Sequence, residues 1–166
     1  MPLTPSQMTS LKAHIVASGD LNIFPNSSDG NFEVAKLMNV AASPGFTVWK
    51  KSVSINEVGK SFNATELAGL TSTNNTRLQT LAIYLAGGVD PSIPGVQAFF
   101  NDIFSGAGGT NTRAALLILW KRLASRAEKL FSTGTGSDAS PATTAANIGE
   151  GFLITAQDVE TARNLP

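Results

Sequence analysis

Cysteine is absent from the 166 residues, which removes disulfides, thiolate nucleophiles and cysteine-based zinc sites together. That suits a reducing compartment or a protein stabilised by assembly. Histidine occurs once, as His14. Charge is scarce: 14% of residues are Asp, Glu, Lys or Arg, where a soluble chain typically carries roughly 25%. Ala, Ser, Thr, Asn and Gly fill the gap, and such a weakly charged surface suits burial against other subunits. Neither sign prevails, with twelve cations against twelve anions. The basic excess with which a DNA-binding protein displaces counterions is therefore missing. Long apolar runs are missing too. The longest, residues 114–120, falls far short of the roughly 20 needed to span a bilayer, so no membrane partner is expected. The opening Met-Pro-Leu-Thr-Pro-Ser has neither a basic nor an apolar region of the secretory kind.

What is present is enough apolar material for a real core, 42% of the chain. Thr4-Pro5-Ser6-Gln7 predicts a helix start, with a capping hydroxyl, proline at the first position and a capping box. Met8, Leu11 and Ile15 follow at helical spacing, and Gly19 stops the run. After a polar loop, Asp29 is expected to cap a second helix bearing Val34, Leu37, Met38 and Ala41 on one face. Phe46, Val48 and Trp49 leave helix or strand open. Ser54-Ile-Asn-Glu57 and Asn63-Ala-Thr-Glu66 each open a short helix. Leu78, Leu81, Ala82 and Leu85 mark an amphipathic helix, and Val96, Phe99, Phe100 and Ile103 a short apolar one. Past the glycine-rich residues 106–109, Thr110 or Asn111 is expected to cap the longest helix, residues 112–131. Leu116, Leu119, Trp120, Leu123, Ala127 and Leu130 form its broad face.

At Ser132 the composition changes. Residues 132–151 are mainly Gly, Ser, Thr and Ala, too little apolar surface to offset their ordering entropy. Phe152, Leu153 and Ile154 then restore hydrophobicity, and Thr155-Ala-Gln-Asp158 caps a last short helix with Val159 and Ala162. This predicts a flexible link and a docking arm, folded back on its own body or seated on a neighbour.

Chemistry is hard to find. No G-x-S-x-G elbow accompanies His14, so a helix residue is favoured over a catalytic base. The acids are scattered singly and no metal-ligand spacing exists, so neither metal nor cofactor is expected. Residues 106–112, Gly-Ala-Gly-Gly-Thr-Asn-Thr, lack the Lys-Ser/Thr of a phosphate loop. A helix-turn-helix across residues 78–103 is disfavoured because residues 93–105 hold no Lys or Arg. Arg113, Lys121, Arg122, Arg126 and Lys129 give the longest predicted helix five cations against Glu128. They predict a solvated face with snorkelling side chains, or a contact with an acidic partner or with DNA in a channel. Residues 132–166 carry four acids against Arg163, so the arm of one subunit can meet the basic helix of the next.

One block is distinctive: Arg126-Ala-Glu-Lys-Leu-Phe-Ser-Thr-Gly-Thr-Gly-Ser-Asp-Ala-Ser-Pro-Ala-Thr143, followed by Leu153-Ile-Thr-Ala-Gln-Asp-Val-Glu-Thr-Ala-Arg-Asn164. With Leu3-Thr4-Pro5-Ser6-Gln7, Leu11-Lys12, Pro25-Asn26, Ala42-Ser43-Pro44 and Val48-Trp49, it resembles a family of small proteins encoded in tailed-bacteriophage genomes. Those proteins carry a Trp-rich middle stretch where this chain has residues 63–75. In size, helical body and extended C-terminal arm the family is similar to head-to-tail connector (adaptor or neck) proteins. The resemblance implies a virion protein forming a ring below the portal, with portal and tail or neck proteins as partners, passing contact with DNA, and no active-site residues. A tail terminator, a decoration protein and, further off, a small DNA-binding regulator are the alternatives.

The expectation is thus an all-α chain: a helical bundle body of five to seven helices ending at residue 131, then an arm, residues 132–166, with a short strand and helix. The expected core is Leu11, Ile15, Leu37, Leu78, Leu81, Leu85, Phe99, Ile103, Leu116, Leu119, Trp120 and Leu123. Phe152, Leu153, Ile154 and Val159 are the expected subunit or portal contacts of the arm.

Overall fold

A computed structural model describes residues 2–84 and 87–166 of the chain. Its elements in order are α1 (Pro5–Ala17), α2 (Ser28–Asn39), β1 (Thr47–Trp49), α3 (Ile55–Lys60), α4 (Ala64–Ala68), α5 (Ser72–Tyr84) and α6 (Pro94–Ile103). A 3-10 turn (Ala107–Gly109), α7 (Thr110–Trp120), β2 (Lys121–Leu123), α8 (Arg126–Leu130), β3 (Ser132–Thr133), β4 (Thr143–Thr144) and α9 (Ala156–Arg163) follow. With 52% helix against 9% strand the chain is mainly α, but it is not a clear bundle. The described helices are short and serve two separate cores, so no long shared seam forms.

The chain divides into two compact units. Unit 1 holds residues up to 48 and from 123 onward, and unit 2 holds residues 49–122. The expected boundary after residue 131 is corrected accordingly. The predicted helix over 112–131 is corrected as well. It ends at Trp120, and Lys121–Leu123 is extended. Backbone pairing holds the chain open on both sides of the break. In unit 2 the Lys50 N–H donates to Trp120 O (2.7 Å), and in unit 1 the Ala124 N–H donates to Phe46 O (2.8 Å). Ser125 then starts α8 afresh with a complete capping box to Glu128. Leu123, expected in the core, is 67% exposed in consequence.

Unit 1 is built on α1, α2, α8 and α9. Leu11, Ile15, Val34, Met38, Ala127, Ile148, Ile154, Val159 and Ala162 form one buried cluster. The capping boxes at Thr4 and Thr155 are both complete, whereas α2 takes Ser27 rather than Asp29 as its cap. The C-terminal segment is part of this core rather than an arm. Asn39 clamps Ile154 through both its backbone groups, donating from Nδ2 to the carbonyl and accepting from the N–H at 2.8 Å each. Arg163 donates to Pro25 O (2.9 Å), Asn31 Oδ1 (2.8 Å) and Phe24 O (3.2 Å).

The link expected to be flexible is also tied in. β3 and β4 pair antiparallel, the Thr47 N–H donates to Gly136 O (2.8 Å), and the Ala142 N–H donates to Thr47 O (2.9 Å). Small residues make this possible by letting backbone approach backbone. Gly136 sits at φ +64°, and a Cβ there would fall 2.1 Å from the Phe46 ring, so both its conformation and its space demand glycine.

Unit 2 centres on Val53, Val58, Val89, Phe100, Ile103, Phe104, Leu116 and Trp120. Leu78, Leu81, Phe99 and Leu119 pack half-buried against that cluster, as Leu37 does in unit 1. Leu85 lies outside the described residues. Asn63 caps α4 as expected, but Glu66 does not close the box. Its two oxygens accept the Asn111 and Thr112 N–H groups at 2.8 Å each, at the start of α7. Burial pushes the Glu66 carboxyl up, yet the hydrogen bonds from Thr112 and Asn111 outweigh it and hold the group below its ordinary value. No side chain of Thr110 or Asn111 caps α7; a carboxylate remote in sequence does so instead, complementing the helix dipole.

Candidate functional site

The residues singled out from the sequence fall into three places. Arg113, on α7, donates to Phe104 O and to Gly106 O (2.9 Å), which satisfies the carbonyls past the end of α6. Lys121 and Arg122 are half-buried on the extended stretch that follows α7. Arg126 and Lys129 are on α8 in unit 1. The five cations thus do not line one helix, and the predicted basic face is corrected.

Arg126 and Lys129 instead help line a groove of about 690 Å³ in unit 1, with His14, Asp20, Leu37, Val40, Ser43 and Leu130. The Arg126 guanidinium forks onto Asp20, with Nη1 on Oδ2 and Nη2 on Oδ1 (2.9 Å), and its Nε donates to His14 Nε2 (3.2 Å). The bond from Arg126 holds the Asp20 carboxyl below its ordinary value. His14 is held below 6.5 by burial first and by the nearby Arg126 charge second, with Asp20 opposing. Accepting at Nε2 requires the neutral ring with its proton on Nδ1. Lys129 Nζ lies 5.5 Å from the centre of the Phe46 ring.

A serine, a histidine and an aspartate therefore share one groove without forming a relay. His14 Nε2, which would take a proton from a nucleophile, is occupied by Arg126. Both Asp20 oxygens are bonded to Arg126 rather than to His14. Among the described residues no three His, Cys, Asp or Glu converge as a metal site would require, and no helix is long and apolar enough to cross a membrane.

Acid should weaken unit 1 through His14. The folded state holds its pKa down, so as pH falls the unfolded chain binds the proton first. The associated stability is present above about pH 6.5 and drains away below it, toward the folded value. Glutamine at this position keeps an acceptor but cannot titrate. His14→Gln should flatten the pH dependence of the urea midpoint across that window, and an unchanged slope would remove His14 as its source.

Of the four expected arm contacts, Ile154 and Val159 are buried in unit 1, and Phe152 meets Phe131 edge-on at 6.3 Å. Only Leu153 stands out, 62% exposed. It lines a second groove, about 500 Å³, with Phe32, Ala35, Asn39, Val40 and Ala156. Phe32 and Val40 are 61% and 50% exposed. Val40, just past the end of α2, lines both grooves. Sequence reasoning missed Phe32 and Val40. Their signal was present: Asp29, Phe32, Lys36 and Val40 recur at helical spacing opposite the buried Val34 and Met38.

No protein-family model, curated protein or solved structure matches the chain.

Proposed function

We propose that this chain is a non-catalytic structural protein of a bacteriophage virion, a head-to-tail connector (adaptor or neck) subunit that forms a ring below the portal through which DNA passes. The observation that carries an assembly role is the apolar surface of unit 1, where Phe32, Val40 and Leu153 stand exposed beside two grooves that share Val40. Contiguous exposed apolar surface of this kind marks interaction sites more often than it occurs idly. That surface answers to the part first given to the arm, with Leu153 common to both. The position in the virion rests on the sequence resemblance, and its partners would be portal and tail or neck proteins, with DNA touched only in passing.

The test is to sediment the purified chain with portal rings and neck proteins of tailed phages, as wild type and as Val40→Glu. Co-sedimentation as a closed ring of roughly a dozen copies, lost in the variant, is the expected result. A chain that stays off every virion partner overturns the reading. Deleting residues 132–166 is the wrong experiment, because Ile148, Ile154, Val159 and Ala162 belong to the core of unit 1.

A further inference from the structure

Formal neutrality of the chain conceals two opposed halves. Unit 1 carries five Lys and Arg against eight Asp and Glu, a net of −3, and unit 2 carries seven against four, a net of +3. Each unit also leaves apolar surface uncovered. On unit 1 it is the 500 Å³ groove bordered by Phe32, Val40 and Leu153, whose charged lining residue, Lys36, is ion-paired with Glu33 (3.3 Å). On unit 2 it is a helix face. The exposed stripe of α7 is Asn111, Ala114 and Ile118, with Ile118 69% exposed, and Lys121 and Arg122 follow α7 in the chain.

We infer that two copies of this chain associate head to tail, the Ile118 face of unit 2 in one copy seating in the Phe32 groove of unit 1 in the next. The inference rests on the assembly reading above and names its surfaces. An aliphatic knob on a small-residue stripe fits a groove walled by Phe32, Val40 and Leu153, and the net charges of the two units attract. Symmetric pairing is disfavoured on the same grounds. Groove against groove would bring two units of −3 together, and knob against knob two of +3, each a like-charge juxtaposition. A head-to-tail contact uses two different patches on each copy, so it propagates into a ring or a filament. Salt weakens it, because the screening length falls below about 8 Å above physiological ionic strength.

Complementation between two single variants tests this. Phe32→Glu spoils the groove and leaves the knob; Ile118→Glu does the reverse. Both positions are exposed, so both variants should keep the wild-type circular dichroism and melting temperature. In sedimentation equilibrium the wild type should show mass above the monomer, decreasing as salt rises. Each variant alone should associate with an apparent dissociation constant raised about tenfold or more. Their equimolar mixture should recover a species of twice the monomer mass, because one intact groove then meets one intact knob. Leu153→Glu should behave as Phe32→Glu does.

A folded Ile118→Glu chain that self-associates like wild type overturns the inference in favour of groove-to-groove pairing. A mixture that fails to recover dimers, with both variants folded and wild type associating, overturns it too. A wild-type chain that is monomeric alone at low salt overturns it outright. That last result leaves the connector reading to its own portal experiment, so the two can fail separately.

Discussion

Val159→Asp is expected to abolish the cooperative folding of unit 1, whereas Leu153→Asp, six residues earlier, is expected to leave it almost untouched. Val159 is fully buried between α9 and the α1–α2 pair, in one cluster with Leu11, Val34 and Met38. A carboxylate buried in that apolar cluster costs several kcal/mol, and Arg163, one turn on, is already committed to Pro25, Asn31 and Phe24. A domain has only about 5–15 kcal/mol in hand. Leu153 points to solvent, and exposed substitutions typically stay within about ±0.5 kcal/mol. Thermal melts by circular dichroism, with amide exchange over residues 2–48 and 123–166, would check both. Wild-type melting and protection in Val159→Asp would show α9 detached in solution and bring back the free-arm interpretation.

That prediction turns on the feature least legible in the sequence. Helix starts were legible where a cap acts locally: Thr4 with Gln7, Ser54 with Glu57 and Thr155 with Asp158 each needed only four residues to be read, and each forms. Ser125 with Glu128 has the same form, yet the apolar spacing of Leu116, Leu119, Leu123, Ala127 and Leu130 runs through it. What breaks the helix is backbone pairing of Ala124 with Phe46, about eighty residues away, and no local pattern encodes that. The link over residues 132–151 misled for another reason. Its composition gives little apolar area per residue, but Ala142, Thr144 and Ile148 are buried all the same, and its backbone groups bond to residues 47 and 131. Small residues in this stretch mark close packing rather than disorder. At the candidate site, the cations were identified as residue types but not as partners. Arg126 meets Asp20 and His14 only because α8 packs against α1, a tertiary fact.

The second large effect concerns unit 2. Phe100→Ala is expected to cost about 3–5 kcal/mol and to strip amide protection from residues 49–122 before it affects unit 1. Phe100 is 1% exposed, meets Trp120 edge-on at 5.2 Å and Phe99 at 5.8 Å, and lies within 6.5 Å of Phe62. Truncating it empties the middle of that aromatic set. The surrounding side chains come from α3, α6 and α7 and from the Val53–Val89 bridge, so no single element can shift to refill the space. Phe100→Leu keeps most of the volume and should cost clearly less. The regional readout matters most, because the two buried clusters share no residue. If each unit is its own cooperative core, exchange in Phe100→Ala accelerates first within 49–122, and the Val159→Asp pattern is its mirror image. Equal acceleration in both halves would mean that the two clusters melt as one, and that the division at residues 48 and 123 describes packing without describing cooperativity.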